Sequence, residues 1–305
     1  MKTIFSKTPK LLCAIALSVT ALSSSQSLFA DDGHHQNTAF TEQKVSSHIT
    51  MLQGKGGNIA LLSGDDGLLL VDDDYKEMSS ALKKQLAKHG GIDAIKYIIN
   101  THWHGDHSGG NLLLGKHATI VAHDNVRKRL LTKHEIKLFK MSSPAYPKDA
   151  LPSITYQRDM RLYINDEQVT LVHFANGHTD GDSVVFFKQA NVVHMGDHYF
   201  SGFFPFVDID SGGNVVSMTE NIASVLNRID DDTKVIPGHG PLSSKQDLRN
   251  YHEMLQNTRI EVEAMKNNGM SLADIQQQGL NQRWRIWGKG FIDEPTWISF
   301  VYNSL

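Results

Sequence analysis

Apolar residues recur at strand spacing in three short early runs, Ser46–Gln53, Asn58–Ser63 and Leu68–Val71. The turns between them carry the glycines of Gly54–Gly57 and Gly64–Gly67, the punctuation expected of strands joined by tight loops. The period changes at Tyr75–His89, where Met78, Leu82 and Leu86 form one helical stripe. Ala94–Ile99 predicts a buried strand that runs directly into a histidine cluster beginning at Thr101. Beyond it the pattern predicts a strand at Ala118–Ala122, a helix at Asn125–Lys137 and a Pro/Ser-bearing loop at Ser142–Ser153. Further strands are predicted at Thr155–Asp159, Leu162–Ile164, Val169–Phe174, Ser183–Lys188 and Asn191–Met195. An amphipathic helix follows at Val215–Arg228, then a short strand at Lys234–Ile236 and a long helix at Leu248–Asn268. Residues 271–305 read as closing helices carrying Trp284, Trp287 and Trp297, whereas Asp31–Gln43 is polar and predicts a loose lead-in.

Strand-rich runs alternate with helices in both halves, and no repeat or long linker divides the chain. The expectation is one α/β domain over residues 31–305, its C-terminal helices spanning 245–305, with two mixed β-sheets packed face to face and helices outside.

The first thirty residues stand apart. Lys2, Lys7 and Lys10 precede an apolar run from Leu11 to Leu22, and Ser23–Ala30 is a small, polar exit. This is the three-part pattern of a secretory signal peptide over residues 1–30, cleaved after Ala30. A periplasmic or secreted product follows, with no membrane attachment once the leader is removed. Cleavage removes three lysines, taking the net charge from -3 to -6. It also removes Cys13, the chain's one cysteine, so a thiolate nucleophile, a cysteine metal ligand and a disulfide are all excluded from the mature chain. Nothing in this charge balance favours nucleic acid as a partner. A small-molecule substrate is the expectation, and the sequence is silent on oligomeric state.

Histidine, at 16 residues, is the unusual component. In Thr101-His102-Trp103-His104-Gly105-Asp106-His107, four candidate metal ligands fall within six residues, immediately after an apolar strand. In extended chain His102 and His104 project to the same side, and a turn at Gly105 redirects Asp106 and His107 toward a second ion. Imidazole and carboxylate without thiolate favour an open, catalytic type of site over a closed structural one.

The motif His102-x-His104-x-Asp106-His107 resembles the signature of the metallo-β-lactamase superfamily of binuclear metallohydrolases. Four further motifs occur in the order of that family's pattern: Asp72 after an apolar strand, Gly177-His178, Gly196-Asp197, and His239 in Pro237-Gly238-His239-Gly240-Pro241. The resemblance implies an αβ/βα four-layer sandwich with two metal sites at one sheet edge. It assigns His102, His104 and His178 to one ion, Asp106, His107 and His239 to the other, and Asp197 as a bridge. Asp72 would orient a ligand histidine without touching metal. Two Zn²⁺ are the implied cofactors, with iron or manganese also suited to these donors. They would activate a shared hydroxide, with Asp106 orienting it, for cleavage of an ester- or amide-type bond in a β-lactam, lactone or related molecule. The same fold also serves phosphodiesterases and iron-containing oxidoreductases, the alternative readings.

Details of the motifs narrow the substrate only slightly. Dedicated zinc β-lactamases generally carry Cys or Ser where this chain has Asp197, and many place a Lys where Phe200 stands. Trp103, Tyr199, Phe203 and Phe204 are expected to overhang the metals as an apolar substrate wall. Ser80-Ala81-Leu82-Lys83 matches a serine-hydrolase tetrad but falls in a predicted surface helix without companion motifs.

Overall fold

The structure is a computed structural model that describes residues 39–305; the expected leader over 1–30 and the His34-His35 pair lie outside the described residues. In chain order the first part contains β1 (Thr41–Lys44), β2 (Ile49–Gln53), β3 (Ile59–Gly64), β4 (Gly67–Val71), α1 (Ser79–Leu86) and β5 (Ile95–Ile99). Two short helices, α2 (Gly105–Ser108) and α3 (Asn111–Leu114), lead to β6 (Thr119–His123) and α4 (Asp124–Leu130). A small hairpin of β7 (His134–Ile136) and β8 (Met141–Ser143) precedes β9 (Ile154–Tyr156). The second part holds β10 (Asp159–Ile164), β11 (Glu167–His173), β12 (Ser183–Phe187), β13 (Val192–His194) and α5 (Val215–Leu226). It closes with β14 (Lys234–Ile236), β15 (Ser243–Ser244), α6 (Lys245–Asn267), α7 (Leu272–Gln278) and α8 (Glu294–Ser304).

These strands make one sheet in the order β1-β2-β3-β4-β5-β6-β9 and a second in the order β10-β11-β12-β13-β14-β15. In the first, β1 to β4 are antiparallel and β4, β5, β6 and β9 run parallel. In the second, only β13 and β14 are parallel.

Strand alternation determines what each face buries. Leu69 and Val71 of β4 turn inward with Ile99 and Val121, meeting Leu171, Val185 and Phe187 of the facing sheet. Leu68 and Leu70 turn outward and are covered by Leu82 and Leu86 of α1. On the far side, Val184, Val193 and Val235 pack under Met218, Ile222, Tyr251, Leu255 and Trp297 from α5, α6 and α8. The architecture is therefore α/β, an αβ/βα sandwich of four layers.

Four expectations need correction. The lead-in contains β1, because residues 41–44 pair antiparallel with β2 although every one of them is exposed. The helix expected at Asn125–Lys137 stops at Leu130; His134–Ile136 instead pairs with Met141–Ser143, and Lys140 at φ 52 completes the connecting turn. The loop expected from Ser142 thus begins inside a strand. Finally, Thr155–Asp159 is not one strand: β9 belongs to the first sheet and β10 to the second, so the chain changes sheet at Gln157-Arg158.

Candidate metal centre

The parallel strands set the position of the site. The ends of β4, β5, β13 and β14 lie at one edge of the sandwich, carrying Asp72, His102–His107, Asp197 and His239 respectively; the turn between β11 and β12 adds His178. After β5 the backbone does not stay extended as expected: it bends through Thr101–Trp103, is extended at His104 (φ -61, ψ 147) and then coils into α2. These changes of direction let His102 and His104 face one place while Asp106 and His107 face another.

The seven residues converge in two groups: His102, His104, His178 and Asp197, and beside them Asp106, His107 and His239. In the first, His104 Nδ1 lies 3.1 Å from His102 Nε2 and 2.8 Å from His178 Nε2. Asp197 Oδ2 lies 3.8 Å from His102 Nε2 and 3.4 Å from His178 Nε2. In the second, His239 Nε2 lies 3.3 Å from His107 Nε2 and 3.2 Å from Asp106 Oδ2. Asp197 Oδ1 joins this group at 3.0 Å from His107 Nε2 and 3.5 Å from His239 Nε2. A tetrahedral zinc with bonds of about 2.0–2.1 Å has its donors roughly 3.3–3.4 Å apart, and the separations within the two groups lie on either side of that, from 2.8 to 3.8 Å.

The protons on these rings support the same conclusion. His178 Nδ1 donates to Phe206 O at 2.8 Å, His104 Nε2 to Asp208 Oδ2 at 3.0 Å and His107 Nδ1 to Asp72 Oδ2 at 2.7 Å. His102 Nδ1 lies 3.1 Å from Thr101 Oγ1, whose own hydroxyl donates to Asp72 Oδ2 at 2.8 Å. His102, His104, His107 and His178 are thus each held on the side away from the centre and turn the other ring nitrogen into it. Asp197 Oδ1 is buried without a hydrogen-bond donor. Ring nitrogens and carboxylate oxygens converging at this spacing form a cation-binding arrangement, and the residues present fit a pair of divalent ions.

Electrostatics divides the two groups. Burial holds His102 well below the usual imidazole range and lowers His178 to about 4, leaving neutral ligands. At His239 burial acts in the same direction but is outweighed by Asp197 and Asp106, which raise it to about 9. Burial likewise opposes ionisation of Asp106, yet His107 and His239 bring it down to about 2. The second group is thus a field of carboxylates in which proton and metal compete for the same imidazoles.

Close backbone approach to this centre requires glycine at Gly57 and Gly238, where a Cβ would collide with the His107 ring and with Asp197 Oδ1. Three carboxylates not singled out by the sequence pattern hold the loops. Asp208 engages His104. Asp182 accepts from the backbone N–H of His178 at 2.6 Å and of Thr179 at 2.8 Å. Burial pushes Asp182 up to about 8, although those hydrogen bonds oppose the shift. Asp74, at φ 62, accepts from the backbone N–H of Lys55 at 3.1 Å and Gly56 at 2.9 Å, tying the glycine turn over the centre. Asp182 could have been read from the polar run Gly177–Ser183. Asp208 and Asp74 act through folding alone and have no local signal.

A cavity of about 350 Å³ opens above the centre, with His104, Asp106, Asp197 and His239 at its floor. Its wall is not the one expected. Tyr199 turns into the core, where its hydroxyl bonds Ser243 Oγ at 3.1 Å, and Phe204 stacks on Trp297 with ring centres 5.3 Å apart. Phe203 packs behind Phe200 and Phe291. Trp103 is buried, edge-on to His104 at 4.3 Å, and borders a neighbouring cavity instead. Phe200 and Phe206, flanking Phe203 and Phe204 in sequence, are the ones that face the cavity.

Comparison with known proteins shows the family. The chain belongs to the metallo-beta-lactamase superfamily, whose family model matches residues 52–239. It is 28% identical over 217 residues to a beta-lactamase-like protein 2 homolog of Caenorhabditis elegans, covering 67% of this chain but 65% of that protein. It is 26% identical over 204 residues to the metallo-beta-lactamase type 2 of Bacillus cereus, covering 65% of this chain and 73% of the other. Its fold is similar to that of an inverting sec-alkylsulfatase from Pseudomonas sp., with TM-score 0.63 and 15% identity over 88% of this chain and half of that one. The superfamily is generally one of metal-dependent hydrolases that bind divalent ions, typically zinc.

Proposed function

We propose that the chain is an exported binuclear zinc hydrolase acting on an ester- or amide-type bond of a small molecule. The observation that carries this reading is Asp197, whose Oδ2 faces His102 and His178 while its Oδ1 faces His107 and His239. His102, His104 and His178 would hold one ion, Asp106, His107 and His239 the other, and Asp197 both. When bound, the ions supply Lewis acidity and make water acidic enough to be a nucleophile near neutral pH.

The chain's own groups do the rest. Asp208, Asp72 and the Phe206 carbonyl lock the rings so that their lone pairs face inward. Asp106 is the carboxylate at the cavity floor that is partly open, its side chain 17% exposed, and burial alone does not protonate it. It is the group placed to orient an attacking water and to hold its proton. Phe200 and Phe206 stack against His239 and His104 at 5.2 and 5.7 Å and keep bulk water from one side of the centre. Export is supported by the leader-like pattern of residues 1–30.

The test is a panel of esters, lactones, amides and phosphodiesters, assayed with metal-stripped protein before and after addition of zinc. Zinc-dependent turnover of esters or lactones is expected. Turnover confined to phosphodiesters, or undiminished without metal, would overturn the reading.

A further inference from the structure

Above the centre the cavity wall is built by six apolar side chains, Ile136, Phe139, Met141, Phe200, Phe206 and Phe291. They form one continuous aromatic surface that begins at the ligand rings. Phe200 and Phe206 contact His239 and His104, Phe139 meets Phe206 at 4.9 Å, and Phe291 meets Phe200 at 5.7 Å. Phe139 and Phe291 approach each other across the opening at 6.2 Å. They come from opposite sides: Phe139 from the turn of the β7–β8 hairpin, Phe291 from the segment before α8, outside the stretch that matches the family model.

Three members of this wall remain exposed. Met141 is 41% exposed, Phe139 36% and Phe291 50%. Lys55 is the one lysine or arginine on the cavity lining, and Glu77 already sits 3.2 Å from its ammonium. An apolar wall with one neutralised cation selects for apolar area, not for a charged tail.

We infer that this aromatic jaw is a subsite for an extended apolar group of the substrate, an alkyl or aryl chain attached to the scissile ester. The inference deepens the hydrolase reading and rests on it for the position of the bond. The chain would lie along Phe200 and Phe206 and leave between Phe139 and Phe291, covering the surface they expose. Each buried methylene then strengthens binding, about two- to fourfold in kcat/KM per carbon while the jaw remains filled.

The experiment uses zinc-loaded protein and the 4-nitrophenyl esters of acetate, butyrate, hexanoate and octanoate. The expected result is a kcat/KM that climbs through the series, and a Phe139→Ser/Phe291→Ser variant in which the climb is reduced to near unity per carbon. Both positions are partly exposed, so the substitutions leave the core intact, and circular dichroism checks this. A second measurement avoids turnover: octanamide is titrated calorimetrically into metal-stripped protein. Binding with a negative heat-capacity change, weakened at least fivefold in the variant, is expected. Hydrolysis with a flat or falling series, or a climb the variant retains, overturns the subsite while the hydrolase reading stands. If none of these esters is hydrolysed, the hydrolase reading is decided by the wider panel of lactones and amides, and octanamide binding alone decides the subsite: no binding, or binding equal in both proteins, overturns it.

Discussion

Asp208 Oδ2 sits 3.0 Å from His104 Nε2, on the side of the ring opposite the Nδ1 that faces His102 and His178. The two residues are 104 positions apart, and their contact fixes which nitrogen of His104 is a donor to the centre. Burial would raise the Asp208 carboxyl, but its contact with the His104 ring brings it below the usual range, so it accepts as a carboxylate.

From this contact a first expectation follows. Asp208→Ala should lower zinc affinity at the three-histidine group by about 10- to 100-fold, the usual effect of removing a carboxylate behind a ligand histidine. Asp208→Asn keeps an acceptor and should lose less. Competition with a chromogenic chelator measures both, and wild-type affinity in Asp208→Ala would remove the contact from the account.

Asp74 provides a second test because backbone and side chain make opposite demands. At φ 62 a glycine is the favoured residue, so Asp74→Gly relieves strain of about 1 kcal/mol or more. It also frees the N–H groups of Lys55 and Gly56 from the carboxylate. The expected outcome is a stability change within about 2 kcal/mol, alongside hydrogen exchange at Lys55–Gly57 at least ~10-fold faster. Unchanged exchange there would mean the glycine turn is held by other contacts, chiefly Gly57 N to Asp106 O.

Acid sensitivity has a defined source at His123, which caps α4. Its Nδ1 accepts from Asn125 N at 3.2 Å, and its ring stacks 3.6 Å from that of His173. Burial, with His173 adding, lowers His123 to about 4. The unfolded chain then binds a proton near 6.5 that the folded chain refuses until about 4. Its contribution is complete above the higher value and is lost as pH falls through that window, on the order of 1–3 kcal/mol in total. Asn at position 123 keeps a cap without titrating. Chemical denaturation of metal-stripped protein between pH 7 and 4 should therefore show a shallower slope for His123→Asn, and equal slopes would contradict the assignment.

Much of this was legible in the sequence, for reasons that particular residues make clear. Strand β14 and helix α5 follow directly from runs of Val and Ile bounded by turn residues, and the spacing of His102, His104, Asp106 and His107 is local. His178, Asp197 and His239 were accessible only through the family resemblance, because nothing near them in sequence states that they meet. The hairpin of β7 and β8 was hidden because nothing local separates the three-residue run His134–Ile136 from the helix before it, and only pairing with Met141–Ser143 resolves the choice. The cavity wall was missed for a similar reason: in a loop there is no fixed period, so Phe200 and Phe206 could not be told from Tyr199 and Phe204.

β-Lactam turnover is expected to be weak. Asp197 stands where Cys or Ser serves dedicated lactamases, and Phe200 leaves no free cation at the floor for a drug carboxylate. Nitrocefin and imipenem should give kcat/KM values far below ~10⁶ M⁻¹s⁻¹, and values near that level would show the apolar jaw to be no obstacle.

The central claim is that two ion sites share Asp197, and zinc content tests it most directly. After dialysis the wild-type chain should hold about two zinc ions, and His239→Ala about one, because removing a single imidazole leaves the three-histidine group intact. Asp197→Ala should fall below His239→Ala, since its two oxygens face both groups. Two ions retained in His239→Ala, or an Asp197→Ala chain that holds more zinc than His239→Ala, would contradict the account.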